Sequence, residues 1–401
     1  MNMQRTPTKS ASDEEIARLG TAPIPAEPYY RSEYFELERE AIFKKTWLNV
    51  GHVCELPQPG SFIVRPIDAA KASLLITRGR DDKIRAFHNV CTHRGTQLVE
   101  EACGNRSSFT CPYHAWTFNY DGKLRAAPDF ERFYIDKSEL DLPEVAADVC
   151  AGLIFVNLDK SPSQGLRESL GPLAEQLEAM PVARATGFSE WVYELDANWK
   201  LIWDNFQENY HLRFIHSRSA TPACGEDNPF GYAVNFSFYG PHRKQLIWSN
   251  PNSTLKPTQK FAFGKLAAFA KADGLFDNPH IKDYFALFPN FNIVGTPTGH
   301  FSQCVQPISA TRSRSVVRMY WVGEDENATE RFGRELSMAS TMEVHAEDTS
   351  VLEAGQRGLS SGALKYIHFQ SQEVLCRHFF DAVDSAVQAY KAERNAQGAT
   401  T

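Results

Sequence analysis

Two short segments constrain this chain more than anything else in it: Cys91-Thr92-His93-Arg94-Gly95 and Cys111-Pro112-Tyr113-His114-Ala115-Trp116. Each pairs one thiolate with one imidazole, and seventeen residues separate His93 from Cys111. Two Cys and two His suit either one tetrahedral zinc or a two-iron cluster in which two thiolates hold one iron and two neutral imidazoles the other. Zinc sites more often keep the Cys pair and the His pair apart in sequence. The other six cysteines, at 54, 103, 150, 224, 304 and 376, are too sparse and uneven for a disulfide framework. They are expected to be small buried or partly buried side chains. Trp116 is expected to pack over its loop.

The segment around these loops has the period of β-structure. Ser61–Pro66 and Ser73–Thr77 are short and β-prone, and Arg80-Asp81-Asp82-Lys83 is a turn before Ile84–His88. Asp121-Gly122 is a two-residue hairpin signal, and Gly152–Asn157 reads as a buried strand. The whole makes a small β domain from about Gly60 to Asp159. The arrangement Cys-x-His then Cys-x-x-His, with Arg94-Gly95 and Tyr113 beside it, resembles the Rieske [2Fe–2S] motif.

Composition narrows the function classes. A length of 401 residues predicts two to three domains. A net charge of −7 lacks the basic footprint of a nucleic-acid binder. Hydrophobic content of 42% is enough for packed cores. No run approaches the roughly 18 apolar residues that span a bilayer. Met1–Ser12 is polar and has no apolar stretch of a secretory signal, so a reducing cytoplasmic location is expected. Met1–Ala11 reads as a loose tail.

Arg31–Trp47 is expected as a helix, with Tyr34, Leu37, Ala41 and Ile42 on one stripe and Ser32 as its N-cap. From Lys160 onward the chain mixes elements: strands at Asn235–Tyr239, Phe291–Val294, His300–Gln306 and Ser315–Trp321, helices at Arg331–Leu359 and Tyr366–Tyr390. That is an α+β pattern.

A second constellation follows the first by about one hundred residues: Asn198-Trp199-Lys200, then Asp204 through His211, then His216. If the middle of Glu194–Phe214 is helical, Asp204, Glu208 and His211 share one face. His211 and His216 supply two ligands of a two-His-one-carboxylate triad, whose open positions on Fe(II) suit oxygen chemistry. Local spacing does not find the third ligand. Glu343, Glu347, Asp348 and Glu353 are candidates, with His345 as a substitute.

Taken together, the two constellations resemble the large α subunit of the Rieske non-heme iron oxygenases, the ring-hydroxylating dioxygenases and related monooxygenases. The likeness runs from the helix near Arg31 to the C-terminal helices. It implies an N-terminal tail and helices over 1–46 packing on the catalytic domain, a β-rich Rieske domain over 47–160, and a helix-grip α+β catalytic domain over 161–401. Asn198-Trp199-Lys200 and Tyr210-His211 match the family segment before the iron ligands. Glu347-Asp348 followed by Gln356-Arg357-Gly358-Leu359 matches the segment that carries the carboxylate ligand, which the resemblance places at Asp348. Cys91, His93, Cys111 and His114 are then the cluster ligands. Asn205 matches a residue close to the iron; a plain helix-face hydrogen bond is the alternative.

Most members have Asp where this chain has Glu208, the residue that bridges the two metal centres. Glu there resembles the branch that oxidises quaternary ammonium compounds such as carnitine and glycine betaine. Asp204 is a rival bridge, and a carboxylate that only orients His211 is the plainer role for Glu208.

The resemblance further implies electrons from NAD(P)H, delivered by a flavin reductase with or without a ferredoxin to the [2Fe–2S] cluster. They pass to Fe2+, where O2 reacts beside a small organic substrate. It also implies a head-to-tail homotrimer, with or without a small β subunit, in which His114 of one copy bonds Glu208 of the next. An aromatic substrate is expected from the bulk of the family, with hydroxylation or N-demethylation of a quaternary ammonium compound as the alternative. A Rieske electron carrier without its own chemistry is a further alternative, against which the His211/His216 pair speaks. His52, His88, His242, His280, His300, His368 and His378 are expected to be structural, with His242 a candidate pocket residue. Phe291 and Ile293 line the pocket or fill the core.

Overall fold

The computed structural model describes residues 11–216, 223–250, 281–296, 299–323 and 327–398, with 219, 252, 256–258 and 260 besides. His280 and most of the N-terminal tail lie outside the described residues. The chain forms two compact units: Phe43–Ser169, and Met1–Ile42 together with Leu170–Thr401. No described helix is long and apolar enough to cross a membrane.

The unit over 43–169 is β-rich. Seven strands lie in the spatial order Leu48–His52, Leu153–Asn157, Glu144–Cys150, Ile84–His88, Ala72–Arg78, Ser61–Ile67 and Cys103–Asn105. A second, three-stranded sheet is made of Ser108–Thr110, Thr117–Asn119 and Leu124–Ala126. The Asp121-Gly122 turn joins the last two strands. Gly122 takes φ +82°, and a Cβ there would sit 2.4 Å from a ring carbon of Phe87, so only glycine fits. The core of this unit gathers Phe62, Leu75, Phe87, Phe109, Trp116 and Phe118 around Cys91 and Cys111.

The other unit is built on a seven-stranded antiparallel sheet. Its spatial order is Gly187–Leu195, Arg312–Trp321, Gly299–Ser309, Phe291–Thr296, Ile281–Leu287, His242–Trp248 and Asn235–Tyr239. The helices Trp199–Asn205, Ala328–Ser360 and Val374–Gly398 belong to the same unit. The α+β class, with a small β-rich unit and a larger unit of sheet and helices, is as expected. Phe291 and Ile293 alternate with Asn292 on a strand and are buried in the sheet.

Several expected elements differ. The N-terminal helix is short, Ser32–Glu38, continuing as one π-helical stretch over Arg39–Phe43, and Arg31 rather than Ser32 is its N-cap. The helix expected over Tyr366–Tyr390 begins only at Val374 and runs to Gly398. Before it, Tyr366-Ile367 pairs antiparallel with Ile24-Pro25, and the Glu373 carboxylate accepts the backbone N–H of Gln370 at 2.7 Å, which ends the irregular segment. Cys103 is exposed; the other five non-motif cysteines are buried or half-buried.

The chain between Glu194 and Phe214 is broken as well. Glu194 and Leu195 finish a strand, the helix covers Trp199–Asn205 only, and a second short helix spans Leu212–Ile215. Asn198 caps the first helix, accepting from the Lys200 N–H at 2.9 Å, while its own N–H donates to Gln356 on the long helix at 2.8 Å. Two buried side chains fix the helix: Trp199 donates its indole N–H to Glu38 at 2.9 Å, and Lys200 donates to the same carboxylate at 2.5 Å. The sequence Asn198-Trp199-Lys200 is therefore one cap and two anchors.

Candidate metal centres

The two Cys/His loops are folded alike. In each, the Cys carbonyl accepts the N–H four residues on (Gly95 at 2.9 Å, Ala115 at 3.0 Å), and the Cys N–H donates to the carbonyl five residues on (Thr96 at 2.8 Å, Trp116 at 2.7 Å). The fifth residue of each loop is left-handed: Gly95 at φ +76° and Ala115 at φ +59°. Asn89 braces the first loop by accepting the Val99 N–H at 2.9 Å and donating to the Val99 carbonyl at 2.7 Å. Thr92 donates to the carbonyl of Leu140 at 2.6 Å.

These loops bring the four expected ligands together. The rings of His93 and His114 meet edge to face with centroids 4.6 Å apart, and Trp116 stacks on His93 at 4.7 Å, as expected of it. Nδ1 of both imidazoles is enclosed and has no hydrogen-bond partner, the state expected of nitrogens reserved for metal. Burial, then the neighbouring His114, holds His93 below its ordinary pKa and so neutral. Burial pushes the Cys91 thiol up, the N–H groups of His93 and Arg94 pull it down, and Cys111 beside it pushes it up again. Two adjoining sulfurs and two adjoining free imidazole nitrogens are the donor set of a cluster with one thiolate-bound and one imidazole-bound iron.

In the larger unit, ligand atoms of His211, His216 and Asp348 lie within 4.8 Å of one another, the one such group of three among the described residues. Asp348 Oδ1 is 3.0 Å from His216 Nε2 and 3.8 Å from His211 Nε2. Two imidazoles and one carboxylate facing a common point match the two-His-one-carboxylate donor set of non-heme iron. Burial works against a charged His216, but Asp348 and Glu347 outweigh it and raise its pKa. A metal cation would take the place of that proton.

Helix periodicity separates Asp348 from its rivals. The buried stripe of the long helix runs through Ser337, Met338, His345, Asp348, Leu352, Gln356 and Leu359. Glu343 is exposed, and Glu353 bonds the backbone of Asp196 at 3.3 Å. His345 is on the stripe but outside the metal group: its Nδ1 meets the Tyr193 hydroxyl at 2.7 Å, and Phe206 stacks on its ring at 4.7 Å. Burial lowers its pKa to about 4. Glu347 is turned to the far side of His216, 2.8 Å from Nδ1.

Because the helix stops at Asn205, Asp204, Glu208 and His211 do not share a helix face. Glu208 reaches back to Nδ1 of His211, to its N–H and to the N–H of Tyr210. Asp204 faces elsewhere, accepting the Tyr29 hydroxyl at 2.6 Å in a fully enclosed place. Burial raises its pKa to about 8, against the pull of Tyr29 and Arg243. Asp204 is therefore not placed as a bridge. The Asn205 amide nitrogen is buried without an acceptor, and no hydrogen bond joins it to the three ligands. His242 accepts the Phe288 N–H at 2.9 Å, a structural role.

Sequence reasoning missed the aromatic set around His345: Trp191, Tyr193, Phe206 and Phe301 come from three segments, with ring centroids 4.7–5.9 Å from the imidazole. The alternation Trp191-x-Tyr193 was its one visible signal.

Fold and donor sets together define an iron–sulfur and non-heme-iron oxidoreductase. Residues 46–145 match the Rieske [2Fe-2S] domain family, and residues 182–389 match the catalytic domain of the ring hydroxylating alpha subunit family. The carnitine monooxygenase oxygenase subunit of Acinetobacter baumannii is 30% identical over 340 residues, 83% of this chain and 84% of that protein. The 2-aminobenzenesulfonate 2,3-dioxygenase subunit alpha of an Alcaligenes species is 37% identical over 199 residues, 47% of this chain and 48% of that one. The crystal structure of a quaternary ammonium Rieske monooxygenase in complex with L-carnitine superposes with a TM-score of 0.73 at 25% identity, covering 93% of this chain and 99% of that one. The chain belongs to the Rieske non-heme iron oxygenases, as a terminal oxygenase subunit. Its cofactors are a Rieske [2Fe–2S] cluster and a mononuclear iron, and NAD(P)H reaches such enzymes through a reductase.

Proposed function

We propose that this chain is the oxygenase subunit of a monooxygenase acting on a quaternary ammonium compound. The observation that carries the reading is Glu208, a glutamate gripping His211 where an aspartate is usual in the family. Similarity to a carnitine monooxygenase over 83% of the chain supports it. The aromatic substrate expected from the bulk of the family stays as a second reading, favoured by the 2-aminobenzenesulfonate relative.

In this reading Cys91, Cys111, His93 and His114 hold the cluster, and His211, His216 and Asp348 hold the iron. The cluster, when bound, supplies single electrons, and the iron supplies a place for O2 beside the substrate. Glu208 keeps His211 turned with Nε2 toward Asp348. In a head-to-tail trimer His114 of one copy would bond the Glu208 carboxylate of the next. The electron donor is a reductase, with or without a ferredoxin, and the setting is the cytoplasm. Asn205, whose buried amide nitrogen has no acceptor among the described residues, would be a donor to substrate in this reading.

The test is a coupled assay of cluster-loaded enzyme with NADH and a reductase, offering carnitine-type trimethylammonium compounds and 2-aminobenzenesulfonate in parallel. The expected result is NADH and O2 consumption in equal amounts, with a hydroxylated or demethylated product, for the trimethylammonium compound only. Coupled turnover confined to the aromatic compound would reverse the assignment.

A further inference from the structure

We propose that Glu347, backed by Ser219, is the positioning residue of His216, doing on that imidazole what Glu208 does on His211. The inference rests on the reading of His211, His216 and Asp348 as the iron ligands, and it gives the neighbouring carboxylate a separate task.

The geometry is paired. Nδ1 of His211 is held by Glu208, and Nδ1 of His216 lies 2.8 Å from Oε2 of Glu347. The other nitrogen of each ring faces the same oxygen of Asp348, at 3.8 and 3.0 Å. Ser219 donates its hydroxyl to the Glu347 oxygen that receives His216. His216 and Asp348 side chains are 1% and 3% exposed, whereas Glu347 is 25% exposed, so the glutamate grips the imidazole from the rim.

Consecutive residues of a helix point about 100° apart. The long helix therefore sends Asp348 inward as a ligand and Glu347 alongside it, round the far edge of a second ligand. A neutral His216 with its proton on Nδ1 donates to Glu347. That leaves the lone pair on Nε2, the nitrogen that faces Asp348, and turning the ring would break the bond. A carboxylate on the distal N–H also raises the basicity of the metal-facing nitrogen. Glutamine at 347 keeps the size but loses the charge, and it can offer its own N–H to Nδ1, which favours the wrong tautomer.

The experiment compares wild type, Glu347→Gln, Glu347→Ala and Ser219→Ala as full-length, cluster-loaded protein. Fe(II) affinity is measured by competition with a chelator, and the EPR spectrum of the nitric oxide adduct is recorded on the same samples. The expected result is a loss of Fe(II) affinity of about 10–100-fold for both Glu347 variants and a smaller loss for Ser219→Ala. The nitric oxide spectrum should change in rhombicity, while the cluster absorbance and thermal midpoint stay at the wild-type values. Wild type that takes up no mononuclear iron overturns the iron-site reading and this inference together. Wild type that binds iron, with Glu347 variants of equal affinity and identical spectra, overturns the inference alone. If a Glu347 variant fails to fold, unchanged affinity and spectrum in Ser219→Ala overturn it in the same way.

Discussion

Replacing Lys200 by methionine tests how the catalytic unit holds its ligand-bearing segment. The Lys200 ammonium and the Glu38 carboxylate are both 0% exposed and 2.5 Å apart, and Glu38 also takes the Trp199 indole N–H. Burial is the largest influence on both, raising Glu38 and lowering Lys200, while each partner pulls the other back. Removing the lysine strands a buried carboxylate, which costs about 3–5 kcal/mol. At about 2–4 °C per kcal/mol for a unit of this size, the melting point falls by roughly 6–20 °C. Glu38→Leu, which strands the ammonium and removes the acceptor of the Trp199 indole N–H, should cost at least as much. The double variant Glu38→Leu/Lys200→Met should be far milder than the sum, leaving about 1–3 kcal/mol for the indole's lost bond to Glu38. Urea unfolding followed by tryptophan fluorescence reads this directly, because Trp199 and Trp203 are fully buried in the same helix. Strictly additive single effects, or a loss below about 1 kcal/mol for Lys200→Met, would refute the picture of a coupled buried pair.

Other changes bear on the metal sites and on pH. Asp348→Ala should lose the mononuclear iron and keep the Rieske spectrum, as iron and sulfide counts with EPR will show. Glu208→Gln, supplied with excess Fe(II) so that both centres are filled, should slow single-turnover oxidation of the cluster; an unchanged rate would deny Glu208 a bridging role. Asp204 carries a carboxyl raised to about 8 in the fold, so between its unfolded value near about 3.9 and that point the folded chain keeps a proton the unfolded chain has lost. Its contribution to stability therefore falls as pH rises through that window, by at most about 1.4 kcal/mol per unit, and levels off above it. Asp204→Asn, which keeps an acceptor for Tyr29, should remove that slope, checked by urea midpoints at the two ends of the window.

Legibility of the sequence varied with the kind of signal. The Asp121-Gly122 hairpin and the strands from Phe291 to Trp321 lie where turn chemistry and alternation put them, because those signals are local. The middle of Glu194–Phe214 is helical over Trp199–Asn205, but the expected common face of Asp204, Glu208 and His211 did not hold, because no local rule marks where Asn205 ends the helix. Beyond it the Glu208 carboxylate accepts the N–H groups of Tyr210 and His211 in place of the helix ladder, while Asp204, still in the helix, turns to Tyr29. The stripe through Ser337, His345, Asp348 and Gln356 is buried but polar, so hydrophobic periodicity alone could not separate Asp348 from Glu347.

The sequence by itself determined the donor chemistry: which cysteines, histidines and carboxylates could meet metal, in what order, and on which loops. Tertiary structure decided which carboxylate faces the two imidazoles, which ones steady the far edges of their rings, and which lies buried against Tyr29. The physical reason is range. Loop and strand signals act over a few residues, whereas Asp348 meets His216 across 132 positions, and only packing of the long helix in its unit brings them within 3.0 Å.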